Sequence, residues 1–315
     1  MPLVAFAHIV APMSTEEKAK LAMDEQQPEG MRGKVCIVTG ATGGIGRVTA
    51  RELARRGAAL VIIGRNRERG EAAVAEAQAI GGNSAVFLAA DLSSQNDIRR
   101  LSGEILDRHP RIDVLVNNAG GMFRRRRLSA DGIEMTFALN HLSYYLLTHL
   151  LLPALAQAPA ARIVNVASAA HRGTAIDFDN LQGERGYRGL TAYKRSKLAN
   201  ICFTFELARR LEGRTVSVNA LHPGFVATDI GARCDWMATI AWRLVSRFAI
   251  DVEKGAQTSL YLAASKDVED VNGRYFLDCR PAAPSAPASD RDVQRKLWDI
   301  SAAMTGVSPA WPDLM

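Results

Sequence analysis

Val35-Cys36-Ile37-Val38-Thr39-Gly40-Ala41-Thr42-Gly43-Gly44-Ile45-Gly46 is a short apolar run that stops at a cluster of glycines. Such a run suits a strand buried on both faces of a parallel sheet. Glycines let the backbone turn sharply and come close to a pyrophosphate, and the next helix offers that anion its amides and dipole. Strand, loop and helix in that order predict a nucleotide site at the head of an α/β domain. A tight turn with no ligand is the plainer alternative. The glycines fit both Gly40-x-x-x-Gly44-x-Gly46 and, through Gly43, Gly40-x-x-Gly43-x-x-Gly46.

The same rhythm continues downstream. Short apolar runs at 59–63, 85–88, 114–116, 163–167 and 216–221 alternate with helical stretches near 45–56, 67–80, 94–108, 131–157 and 191–212. That alternation predicts a single Rossmann-type, doubly wound α/β domain over 31–279, with a mostly parallel sheet. Residues 275–277 would supply a seventh strand. The segment 229–250 breaks the rhythm and reads as a small helical substrate cap. Residues 280–289, rich in Pro and Ala, read as a linker to a last helix over 290–304, so that 280–315 forms a tail. Residues 1–30 read as an added arm, with a short helix from Ser14 to Asp24 behind a Ser14-x-x-Glu17 capping box. Met31 is an alternative start.

Composition narrows the function classes. With 315 residues and 48% hydrophobic content, the chain has ample material for a large core. No apolar run approaches the ~20 residues of a membrane span. The longest, 146–158, contains Thr148, His149, Pro153 and Gln157 and reads as a buried helix. The apolar stretch 3–10 has no Lys or Arg before it and is interrupted by His8, so it does not read as a secretory signal. Cys36, Cys202, Cys234 and Cys279 lie far apart, as expected of free thiols in a reducing cytoplasm. The net charge of +6 comes from arginines scattered along the chain, with 124–127 the only dense run. A basic surface without a dedicated partner is the expectation, ahead of an anionic membrane surface, and nucleic acid is remote. His141, His171 and His222 have no metal-ligand spacing, and no metal is expected.

Tyr193-Lys194-Arg195-Ser196-Lys197 carries the chemistry. On a helix, positions four apart share a face, so Tyr193 and Lys197 project into one cavity. A phenol has an unperturbed pKa near ~10. A neighbouring ammonium lowers it and makes the tyrosine a usable general acid or base. Chance readily supplies one Tyr-x-x-x-Lys, and what precedes it changes the odds.

The chain resembles the short-chain dehydrogenases/reductases through an ordered set of motifs. These are the glycine loop, Asn117-Asn118-Ala119-Gly120, Leu139-Asn140-His141, Ser168 at the end of the fifth strand, Tyr193-x-x-x-Lys197 and Pro223-Gly224 with Thr228 after the sixth strand. A narrower resemblance, to the retinol dehydrogenase-like branch that includes the WW-domain oxidoreductases, rests on five stretches. They are 137–143, 193–200, 221–228, 255–258 and 297–301, together with an insertion at 176–187 that sets Ser168 25 positions before Tyr193. Ala167 departs from a serine common at its position, and 123–127 is unusually basic.

The resemblance implies an alcohol/carbonyl oxidoreductase with Asn140, Ser168, Tyr193 and Lys197 as its catalytic residues. The cofactor residues it implies are Gly40, Thr42, Gly43, Gly44, Ile45, Gly46, Asp91 and Leu92 by the adenine, Asn118, Ala119 and Gly120. Pro223, Gly224, Val226 and Thr228 would hold the carboxamide. Tyr193 would exchange the proton, Ser168 would steady the oxyanion, Lys197 would lower the Tyr193 pKa and bind the ribose, and Asn140 would link Lys197 to solvent. The residues themselves point to NADP(H): the second strand ends Ile63-Gly64-Arg65-Asn66 with no acid for a ribose hydroxyl, whereas Arg65 and Arg47 suit a 2′-phosphate.

A hydrophobic carbonyl or alcohol substrate fits the branch and the apolar cap. The cap is also readable as a peripheral membrane contact or a plain packing helix. An NADPH-binding regulatory protein with little turnover and a protochlorophyllide reductase-like enzyme are the competing readings. Relatives often pair through the two long helices, so a homodimer is expected unless the last helix covers that surface or closes the substrate site.

Overall fold

A computed structural model describes residues 30–81, 84–224 and 251–310. The expected arm helix at 14–24, Val226, Thr228 and the cap at 229–250 lie outside the described residues.

The strands β1 (Val35–Thr39), β2 (Ala59–Gly64), β3 (Ala85–Ala89), β4 (Val114–Asn117), β5 (Ala161–Val166), β6 (Val216–His222), β7 (Tyr275–Leu277) and β8 (Arg280–Pro281) form one sheet in the order β3-β2-β1-β4-β5-β6-β7-β8. All pairs are parallel except β7 with β8. The helices α1 (Gly44–Arg55), α2 (Arg67–Gly81), α3 (Gln95–Arg108), α4 (Ser143–Leu155), α5 (Gly189–Arg210), α6 (Val252–Ala264) and α7 (Arg291–Thr305) complete it. Alternation along β1 shows why the runs are apolar throughout. Ile37 joins the core on one face of the sheet, while Cys36 and Val38 join the core on the other. The strand order reverses between β1 and β4, which opens a crevice at their carboxyl ends.

Three elements differ from the sequence reading. The sheet has eight strands rather than seven. Asp278 and Cys279 both take left-handed φ values, 47° and 60°, as a two-residue primed hairpin turn requires. That turn folds 280–281 back onto β7, so the start of the expected linker is a strand, and its end, Ala286–Ser289, is a helical turn. Nothing in Asp-Cys advertises such a turn, which ordinarily favours Asn-Gly or Asp-Gly. The expected helix over 131–157 is in fact three pieces. Glu134 caps Met135–Phe137 by accepting from the Thr136 and Phe137 amides, a π-helical turn follows over Ala138–Leu142, and only then does α4 begin. In the π turn the Ser143 amide reaches back to Ala138, and the Ser143 hydroxyl donates to the Leu139 carbonyl at 2.6 Å. The helix α6 was not expected as a separate element.

The last helix covers the surface where a partner was expected. Trp298 of α7 stacks on Phe203 of α5 and meets Tyr145 of α4 edge-on, with ring centroids 5.9 and 5.0 Å apart. Ser301 bonds His141 at 2.9 Å. A homodimer through that part of α4 and α5 would first have to displace α7.

Candidate active site

At the crevice lies a cleft of about 930 Å³. Its floor at one end is the glycine loop. Gly40 has φ +67°, and a Cβ there would lie 2.9 Å from the Ala119 Cα. A Cβ on Gly46 would lie 2.4 Å from Asn118 Nδ2 and 2.5 Å from the Gly40 carbonyl. Glycine is therefore demanded at both positions, because the loop is pressed against 118–119. Asn118 Nδ2 donates to the Thr39 carbonyl at 2.8 Å, and Thr39 Oγ1 accepts from the Asn118 and Ala119 amides at 2.8 and 3.0 Å. The sequence reading missed Thr39, whose hydroxyl is the latch between loop and β4. Gly43, the N-cap of α1, has no side-chain cap. The first amides of α1 thus face the cleft without a side-chain acceptor, which is the donor set a phosphate needs.

Thr42, Gly43, Gly44, Ile45, Leu92, Asn118, Ala119, Gly120, Pro223 and Gly224 all line this cleft. Asp91 turns Oδ1 to the Ser93 amide and hydroxyl at 3.0 and 2.8 Å, while its neighbours Ala90 and Leu92 line the wall. The two arginines part company. Arg65 lines the cleft, but Arg47 Nε is paired with Glu76 of α2 at 2.7 Å. Arg69, one turn into α2, lines the cleft instead, beside Asn66. Its position follows from α2 starting at Arg67, two residues past Arg65, a spacing that a helix start signal reveals only weakly.

At the other end Ser168, Tyr193 and Lys197 line the same cleft. Ser168 follows β5 in extended conformation and caps a 3₁₀ turn, Ala169–His171, by accepting from the Ala170 amide at 3.1 Å. That contact uses the oxygen as acceptor and leaves the hydroxyl proton to donate. The Ser168 hydroxyl lies beside the Tyr193 phenol, close enough to favour the charged form of the phenol. Lys197, buried at 3% exposure, donates from Nζ to the Val166 carbonyl at 2.8 Å, and Nζ lies 5.8 Å from the Tyr193 ring centroid.

The electrostatics correct one expectation. Tyr193 shows surface to the cleft, yet the protein packed round it pushes its phenol above the ordinary value; the neighbouring Ser168 hydroxyl pulls the other way. Lys197 is the more perturbed group, pushed down by burial to about 7. An ammonium that burial half discharges does not acidify its neighbour as a solvated one would.

Asn140 sits in the π turn, fully buried, 19 positions after Gly121. Its amide accepts from the Gly121 amide at 2.8 Å and donates to the Gly121 carbonyl and Ser196 hydroxyl, both at 2.9 Å. The side chain is thus a staple between the Asn-Asn-Ala-Gly loop and α5, with its donors occupied, and makes no direct bond to Lys197. Among the described residues no group of His, Cys, Asp and Glu is arranged to hold a metal ion.

The chain is similar in sequence and fold to known proteins. The sequence profile of the short chain dehydrogenases matches residues 34–237. Mouse retinol dehydrogenase 14 is 44% identical over 291 residues, covering 88% of this chain and 87% of its own. Human retinol dehydrogenase 11 is 44% identical over 276 residues, covering 87% and 86%. Among solved structures, an uncharacterized protein from Mycobacterium Paratuberculosis superposes with a TM-score of 0.74 at 32% identity, over 92% of this chain and 98% of that one. A metagenomic short-chain oxidoreductase in complex with NADP superposes at 0.61 and 27% identity, over 81% and 100%. With the glycine loop, Ser168, Tyr193 and Lys197 opening on one cleft, the agreement in sequence and fold leaves one reading: this chain belongs to the short-chain dehydrogenase/reductase family, in its retinol dehydrogenase-like part.

Proposed function

We propose that the protein is an NADP(H)-dependent oxidoreductase that reduces a hydrophobic aldehyde or ketone, with Tyr193 as the proton donor. The observation that carries this is the single cleft shared by an uncapped helix start, two arginines beyond β2 and the Ser168–Tyr193 pair. Arg65 and Arg69 supply planar guanidinium donors to a 2′-phosphate on the adenosine ribose, and no carboxylate at the end of β2 competes for that place. A reduced nicotinamide held in this cleft would supply the hydride for the carbonyl carbon.

The chain's own residues handle the charge that appears on oxygen. Because burial raises the Tyr193 pKa, the phenol holds its proton at neutral pH and is a general acid in the reductive direction. As the C=O electron pair moves to oxygen, that oxygen takes the phenolic proton and leaves a phenolate. Ser168, its hydroxyl proton uncommitted to the cap, donates to the same oxygen and lowers the cost of the developing charge. Lys197, with its pKa near 7, takes up a proton at neutral pH and balances the phenolate beside it.

A substrate of retinoid-like character is suggested by the names of the relatives. The test is NADPH oxidation across a panel of lipophilic aldehydes and ketones that includes retinal, run in parallel with NADH. Turnover with NADPH at least tenfold more efficient than with NADH supports the reading. Equal efficiency sinks the phosphate assignment, and tight NADPH binding with no turnover on any carbonyl supports a regulatory protein instead.

A further inference from the structure

His171 is fully buried, three residues beyond Ser168, and it makes two hydrogen bonds that fix its chemical form. Nδ1 lies 2.6 Å from the Ser168 carbonyl, an acceptor, so it must carry the ring proton. Nε2 lies 3.0 Å from the Ser285 amide, a donor, so it must be bare. Only the neutral ring with its proton on Nδ1 satisfies both partners. Burial lowers the pKa of the ring, in keeping with the neutral form. Tyr275 meets the ring edge-on at 5.1 Å and closes the remaining side.

The bond to Ser168 has a mechanical consequence. On its amino side Ser168 is held by β5, whose ladder with β6 extends through the Ala167 amide to the Leu221 carbonyl at 2.8 Å. On its carboxyl side the Ser168 carbonyl accepts from both the His171 amide, at 3.1 Å, and Nδ1. Two donors on one carbonyl stop the 168–169 peptide plane from rotating, and with the preceding chain held by β5 the two flanking planes together fix the direction of the Ser168 Cα–Cβ bond. The far side of the ring is anchored to the chain after β8, where Arg172 also donates to the Ala283 carbonyl at 2.6 Å. The segment that reads in sequence as a linker is thus bolted to the turn behind Ser168.

We propose that His171 is a positioning residue: its Nδ1–H bond to the Ser168 carbonyl, braced from behind by Ser285, aims the Ser168 hydroxyl at the Tyr193 phenol and the reacting oxygen. This rests on the reaction proposed above, and the two side-chain amides separate the two bonds. In His171→Asn the amide nitrogen stands near Nδ1 and can donate to Ser168, while the link to Ser285 is lost. In His171→Gln the amide oxygen stands near Nε2 and can accept from Ser285, while the donor to Ser168 is lost.

With NADPH and the fastest aldehyde of the panel, His171→Gln is expected to lose about tenfold in kcat with KM for NADPH little changed. His171→Asn should stay within about threefold of the parent. A lost hydrogen bond of roughly 0.5–1.5 kcal/mol corresponds to changes of this size. Because His171 acts through Ser168, adding His171→Gln to Ser168→Ala should lower kcat no further. A merely structural role predicts additive losses, equal in both variants and tracking their melting temperatures, and that result overturns the proposal. If Ser168→Ala itself keeps full turnover, the reading of the active site fails instead. A measurement independent of turnover is the long-range proton–nitrogen spectrum of the histidine rings: a ring proton on Nε2 of His171 also overturns it.

Discussion

The two halves of α5 do opposite work. The first half, 189–200, presents Tyr193 and Lys197 to the cleft, where Lys197 is buried and driven toward its neutral form. The second half, 201–210, is a seat for α7. Phe203 stacks on Trp298, the Arg210 guanidinium lies 4.4 Å from the Trp298 ring centroid, and the Glu206 carboxylate accepts from Arg209 and, at 2.8 Å, from Arg210. One end of the helix holds an ionisable group that burial disfavours, and the other end holds aromatic packing and satisfied charges.

Four measurements can break or sharpen this contrast. Tyr193→Phe removes only the phenol oxygen and is expected to cost ~10²–10⁴ in kcat, with NADPH binding and melting temperature nearly unchanged. Near-normal turnover would remove Tyr193 from the chemistry.

Trp298→Ala strikes the other half. Loss of a fully buried indole typically costs about 3–5 kcal/mol, so chemical denaturation should shift strongly while kcat at a permissive temperature stays within about twofold. A parallel loss of kcat would show that α7 reaches the site through Ser301 and His141, next to Asn140.

Lys197→Met should abolish turnover yet stabilise the nucleotide-free protein. The folded-state pKa of about 7 lies below the unfolded value of 10.5, so charging the buried amine works against folding. Each pKa unit is worth ~1.4 kcal/mol, giving a gain on the order of a few kcal/mol at pH 7. The sign fixes the pH dependence. Below pH 7 the deficit of the parent is full, and it closes as the pH rises from 7 to 10.5, because there only the unfolded chain still holds the proton. A variant that melts lower than the parent at pH 6 would contradict this account.

Arg65→Ala has a smaller expected effect, a rise of roughly tenfold or more in KM for NADPH with KM for NADH unchanged, from the loss of one charge-assisted hydrogen bond of about 1.5–3 kcal/mol. Arg47→Ala, which breaks the pair with Glu76, should change neither constant by more than about twofold.

The contrast between these arginines shows where reading a sequence stops. Arg47 and Arg65 look equivalent along the chain, since each follows a glycine at a strand end or loop. Only the direction in which α1 and α2 leave the sheet decides that Arg47 meets Glu76 while Arg65 and Arg69 reach the cleft. The π turn around Asn140 is likewise invisible to a period-based reading, because one extra residue in a helical turn alters no apolar repeat enough to notice.

What the sequence determined by itself is the order of elements, the glycine loop and the shared helix face of Tyr193 and Lys197, to which the family resemblance added Ser168. These follow from local rules: apolar runs make buried strands, glycines allow sharp turns, and residues four apart share a helix face. What only the tertiary structure decided are quantities that depend on who is packed against whom. They include the hairpin at 278–279, the α7 seat on α5, the tautomer of His171 and the sign of the Tyr193 shift. Burial and charge act through space between residues far apart in the chain. Tyr193-x-x-x-Lys197 therefore names the groups proposed to react, while the walls of their cleft set which one holds the proton.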